Sequence, residues 1–135
     1  HAPGIREGVV RELLEAWPVA GDTRAGLATA EQALALGGAA RVWEAEIHRK
    51  RAEFLAAHGA PHDEIDAALT RALLIARRQE ARMLELRAAT SLLRHRSSRG
   101  GAAAREARVL LAAIVDRFTE GRDTPDLRAA TALLS

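Results

Sequence analysis

"EIDAALTRALLIARRQEARMLELRAATSLLR", residues 64–94, is the stretch that decides the fold. Its first part, Glu64–Arg78, sets Ile65, Leu69, Leu73 and Ala76 at spacings of 4, 4 and 3, which is one face of an α-helix. Its second part, Ala81–Arg94, does the same with Leu84, Ala88, Leu92 and Leu93. Between them "RRQEAR", Arg77–Arg82, has five polar residues in six and interrupts the apolar stripe. No Gly or Pro marks the break. A single uncapped helix of about thirty residues is nevertheless unusual in a globular domain, so the pattern predicts two helices and a tight turn near Gln79.

Working outward, glycines and prolines cut the rest of the chain into helix-sized pieces. "REGVVRELLEAW", Arg6–Trp17, is amphipathic and stops before Pro18, because a residue preceding Pro avoids the α region. Asp22 is an N-cap for "TRAGLATAEQALAL", which ends at Gly37 and Gly38. "RVWEAEIHRKRAEFLAA", Arg41–Ala57, carries Trp43, Ile47, Phe54 and Leu55, with Gly59 as its C-terminal cap and Pro61 as a restart. "HRSSRGG", His95–Gly101, reads as a loop before the helix "AAAREARVLLAAIVDRF". In "FTEGRDTPDLRAATALL", Phe118–Leu134, Gly121 stops one helix. Thr124 and Pro125 start the last, and Asp126 complements its dipole.

A repeat runs through these pieces. Gly26, Ala30, Ala33 and Leu34 stand at spacings of 4, 3 and 1; so do Ile65, Leu69, Ala72 and Leu73, and Ala107, Leu111, Ile114 and Val115. The quartets begin 39 and 42 residues apart, and each follows another amphipathic helix and a turn. Small residues let paired helices approach, and the large residue fills the groove between them. This is the second-helix pattern of tetratricopeptide-type units, slightly stretched.

Composition agrees with helices. The 135 residues are 48% hydrophobic but include only two Trp, two Phe and no Tyr, so the core is built from Ala, Leu, Ile and Val. That length matches one domain, residues 1–135, with "HAPG" at 1–4 read as a tag remnant. With no Cys, a disulfide framework and thiolate chemistry are excluded. No apolar run approaches the length of a membrane span, and a cytoplasmic setting without membrane contact is the expectation.

Charge is uneven along the chain. Residues 1–70 hold 7 basic and 11 acidic side chains, net −4; residues 71–108 hold 10 and 3, net +7. The latter include Arg71, Arg77, Arg78, Arg82, Arg87, Arg94 and Arg96, followed by Arg99, Arg105 and Arg108, which are expected to line one face of adjacent helices. Glu80, Glu85 and Glu106 are too few to neutralise them. Their partner would be an acidic protein surface, including another domain of a parent chain. Phosphate or nucleic acid is the less favoured ligand, since no aromatic residues interleave to stack bases.

Catalytic and metal chemistry finds little support. Lys50, the only Lys, follows Arg49 in a polar helical stretch, so there is no phosphate-cradling Gly-Lys-Ser/Thr loop. Glu44 and His48 are one helical turn apart but lack a third ligand; His58, His62 and Asp63 are explained by turn polarity. No catalytic residue, cofactor or metal is expected.

Three phrases carry a family resemblance: Phe118–Leu134 above, "AEIHRKRAEFLAAHG" (Ala45–Gly59) and "ALTRALLIARRQEARMLELRAATSLLR" (Ala68–Arg94). Together they resemble the C-terminal tetratricopeptide-like region of large bacterial signalling regulators. These are the predicted ATPases and adenylate/guanylate cyclase-like proteins, including LuxR-type ones. The resemblance spans residues 22–134 and implies a sensor or scaffold region that binds a partner or inducer. The cyclase and ATPase motifs of such parents have no match here. The resulting expectation is an all-α, tetratricopeptide-like right-handed solenoid of about three helix pairs plus a short C-terminal helix. It would work by protein–protein interaction, with homo-oligomer formation open. Nucleic-acid binding through residues 71–108 and small-molecule sensing are the alternatives.

Overall fold

Ala- and Leu-rich faces predict helices, and in the computed structural model, which describes residues 43–135, all regular structure among the described residues is helical. Five helices follow in order: α1 Glu44–Ala57, α2 His62–Arg78, α3 Arg82–Ser97, α4 Gly101–Asp116 and α5 Pro125–Leu134. The helices expected before Trp43, with the quartet Gly26, Ala30, Ala33 and Leu34, lie outside the described residues. None of the five is long and apolar enough to cross a membrane.

The two remaining quartets form the heart of the core. Ile65, Leu69, Ala72 and Leu73 on α2, and Ala107, Leu111, Ile114 and Val115 on α4, are all buried in one cluster with Leu86, Leu92 and Leu93 of α3. Each large aliphatic side chain taken out of water there stabilises the fold by about 1.5–3 kcal/mol. α1 packs on α2 and α3; α3 packs also on α2, α4 and α5; α4 packs on α5. α3 is therefore covered from several directions, and Leu86, Ala88, Ala89, Thr90, Leu92 and Leu93 are all buried. The single stripe expected for α3 is too narrow: Leu84 is only partly covered, whereas Leu86, off that stripe, is fully buried.

The two turns around α2 show how similar closures arise from different residues. After α1, Gly59 takes φ 76°, its N–H donates to the Ala56 carbonyl, and the Ala60 N–H reaches back to Leu55. After α2, Glu80 takes φ 55°, its N–H donates to Arg77, and the Ala81 N–H reaches back to Ala76. Both are Schellman closures, with the left-handed position filled once by Gly and once by Glu. A non-glycine side chain there costs about 1–2 kcal/mol. The buried Ala76 and the polar pairing of Arg77 beside it hold the chain in that turn.

Other boundaries shift by a few residues. α3 runs on through His95–Ser97, which the sequence reads as loop, because Arg96 is tied to Asp66 of α2 and steadies the last turn. Gly121 does take a left-handed conformation, at φ 71°, but α4 has already ended at Asp116. Gly121 instead accepts the Thr124 N–H at 2.9 Å and shapes the turn into α5. There Thr124 caps the helix as expected, its hydroxyl accepting the Leu127 N–H, with Pro125 in the first turn.

Candidate interaction groove

Three helices, α1, α3 and α5, border a groove of about 680 Å³. Its lining comes from Trp43 and α1 (Glu46, Arg49, Lys50), from α3 (Arg87, Thr90, Ser91, Arg94) and from α5 (Asp126, Ala129). α2 and α4 contribute nothing to this lining.

A chain of ion pairs crosses the groove floor. Glu46 has only 7% of its side chain exposed. Both its oxygens accept from Arg49, Oε1 from Nε and Oε2 from Nη2, each at 2.8 Å. Arg87 on α3 adds Nη1 to Glu46 Oε2 at 3.3 Å, and its Nε donates to Asp126 Oδ2 on α5 at 2.9 Å. Arg49 Nη1 also reaches the Ser91 hydroxyl at 3.3 Å and stands 3.6 Å from Glu53. Burial alone would raise the Glu46 carboxyl. The bidentate hydrogen bonds and charge of Arg49, aided by Arg87 and Lys50, outweigh burial and hold it below the usual range. For Arg49 burial would favour deprotonation, and the Glu46 hydrogen bonds reverse that to hold its proton more tightly. Paired, hydrogen-bonded charges of this kind resist removal of either partner, since the survivor stays buried and uncompensated.

Two further clusters lie elsewhere. Glu85 of α3, with 6% of its side chain exposed, accepts from Arg77 Nε at 2.9 Å and from Arg117 Nη2 at 3.2 Å. Asp66 of α2 takes Arg96 of α3 in a two-point grip, Oδ2 from Nε at 2.8 Å and Oδ1 from Nη2 at 3.0 Å. Arg96 also reaches the Ala103 carbonyl at 3.4 Å. The Arg96 hydrogen bonds hold the Asp66 carboxyl below its ordinary range.

The expected arginine face is thereby redistributed. Arg87 and Arg94 line the α1/α3/α5 groove, whereas Arg71, Arg96 and Arg99 line a separate groove bordered by α2 and α4. Arg77 belongs to the Glu85 cluster, and Arg78 and Arg82 are exposed at the α2–α3 turn. Neutralisation comes mostly from outside residues 71–108: Glu46, Asp66 and Asp126 supply three of the four carboxylates that pair with Arg77, Arg87 and Arg96. Arginines already engaged in this way are poorly placed to grip phosphates. Arg94 is different: it is exposed, and no carboxylate among the described residues pairs with it.

The groove residues missed by sequence reading are Glu46, Arg49, Ser91 and, in its pairing role, Asp126. One signal was present. Glu46 sits three residues after Trp43 and beside Ile47, so it is a charge within the apolar side of α1. Its partner on α3, Arg87, is 41 positions away, and Arg87 in turn reaches Asp126 on α5, so only the packed fold brings them together. His48, one turn from Glu44 on α1, is partly buried. Burial and the Arg71 charge push its imidazole below the ordinary value, with Glu44 opposing only in part. His62 meets His95 of α3 with ring centroids 5.2 Å apart. Compared with known proteins, the chain matches no family model, no curated protein and no solved structure.

Proposed function

We propose that this region is a non-catalytic, tetratricopeptide-like interaction module: α1–α2 and α3–α4 are successive helix pairs and α5 opens a third. Its role is partner binding and regulation in a bacterial multidomain signalling protein, as the family resemblance of Ala45–Gly59, Ala68–Arg94 and Phe118–Leu134 implies. In stacked helix pairs each first helix meets its own mate and the neighbouring first helix. The order in which α1, α3 and α5 pack agrees with that scheme. The observation that carries the reading is the groove itself, lined among the described residues only by those three helices and Trp43 at the head of α1. Alternate helices presenting one continuous surface is how a repeat array offers a binding face.

The experiment is capture from bacterial lysate by the immobilised full chain, with captured proteins identified by mass spectrometry. Ala129→Arg, which puts a long side chain into the groove from α5, is run beside it. The native chain captures a specific protein and Ala129→Arg loses it. Equal capture by both chains, or no specific capture by the native chain, counts against the reading.

A further inference from the structure

The groove shares its middle with a smaller hollow. Arg49, Ser91 and Arg94 line both, and the hollow, about 300 Å³, continues between α1 and α2 over Ala52, Ile65 and Leu69, with Ala56 at its rim. Its floor is therefore aliphatic, and Arg49, Glu53 and Arg94 stand at its entrance. Ala52, Ile65 and Leu69 are buried, whereas Ala56 and Arg94 are exposed. A volume of this size accepts an aliphatic side chain and is too small for a whole folded element.

Charge along the combined surface is nearly balanced, and the exception is informative. Arg49, Lys50, Arg87 and Arg94 face Glu46, Glu53 and Asp126. The three carboxylates are taken by Arg49, Lys50 and Arg87. Among the described residues the remaining cation is Arg94, at the junction of groove and hollow. Beside it the Ser91 hydroxyl already accepts from Arg49, so its own proton is left to donate to a backbone carbonyl.

We infer that this junction binds an extended acidic–aliphatic peptide segment of a partner protein. A Glu or Asp side chain meets Arg94, and a neighbouring Leu, Ile or Val enters the hollow over Ile65 and Leu69. The inference rests on the interaction-module reading above and names the chemistry of its partner. A lone exposed cation gives weak, salt-sensitive attraction. The adjoining apolar hollow adds area burial and selects the residue next to the acid.

The test is fluorescence anisotropy with the full chain and three labelled peptides. The probe is Gly-Ser-Glu-Leu-Glu-Leu-Ser-Gly; one control replaces both Glu by Lys, the other both Leu by Ser. The probe binds with a Kd of roughly 10–100 µM, as suits a contact smaller than a standard interface. Each control binds at least about tenfold more weakly, a difference of about 1.4 kcal/mol. Arg94→Glu removes the preference for Glu over Lys. Ala56→Phe, which blocks the rim, removes the preference for Leu over Ser. Both positions are exposed, and circular dichroism verifies that each variant is folded. Equal binding of all three peptides, or a preference untouched by Arg94→Glu, overturns the inference. If Ala129→Arg abolishes lysate capture while the native chain shows no peptide preference, the module reading stands and the acidic–aliphatic ligand falls. Failure of both overturns both.

Discussion

The two sides of α3 use arginine in opposite ways. On the side facing α2 and α4, Arg96 is closed off by the two oxygens of Asp66 and caps its reach on the Ala103 carbonyl. On the side facing α1 and α5, Arg87 joins two helices through Glu46 and Asp126, and Arg94, two turns along α3, has no carboxylate partner among the described residues. The same residue type, from the same basic stretch of sequence, staples the fold in one place and stays available in another. What separates the roles is whether another helix delivers a carboxylate. Counting arginines along the chain measures neither.

This contrast can be broken in graded steps. The largest effect is expected at the groove floor, where Glu46→Gln leaves Arg49 and Arg87 facing an uncharged amide. Loss of about 3 kcal/mol is expected in urea denaturation, because Glu46 is nearly buried and holds two cations. Acidification approaches the same state by protonation. The Glu46 and Asp66 carboxyls both sit below their ordinary values of 4.5 and 3.8. Their contribution is complete above those values and is lost as pH falls through the lower folded-state ones. The melting temperature should therefore drop on acidification below about pH 4.5, and Glu46→Gln should flatten that drop.

On the other side, Asp66→Asn should cost less, about 1 kcal/mol, because both partners keep some contact with water. A cost equal to that of Glu46→Gln would erase the distinction between a groove-floor network and a peripheral staple. Smallest of all is Arg94→Ala, which should shift stability by less than about 0.5 kcal/mol. A larger loss would mean that Arg94, like Arg96, is a structural staple.

Legibility in the sequence followed the range of the interactions. The quartets starting at Ile65 and Ala107 became core because helix periodicity is local and apolar burial enforces it. The break near Gln79 was readable from the interrupted stripe, but its means was not. Nothing local marks Glu80 for a left-handed conformation that Gly59 takes without strain. Thr124 and Pro125 announced α5 through short-range capping chemistry, as written. The arginine pairings were hidden because Arg87 and Arg96 find their carboxylates 30 to 41 residues away, across helix interfaces. Three carboxylates inside residues 71–108 looked too few; helices outside that stretch supplied the rest. The aliphatic hollow beside Arg94 was likewise invisible, since Ala52 on α1 meets Ile65 and Leu69 on α2 only in the packed fold.

The most direct measurement is amide chemical-shift mapping by NMR as the Glu–Leu peptide is added to the full chain. Shifts centred on Ser91, Arg94 and Ala56 are expected, with Arg71 and Ala103 in the α2/α4 groove unmoved. Shifts concentrated at Arg71 and Ala103, or none on either side, would contradict it.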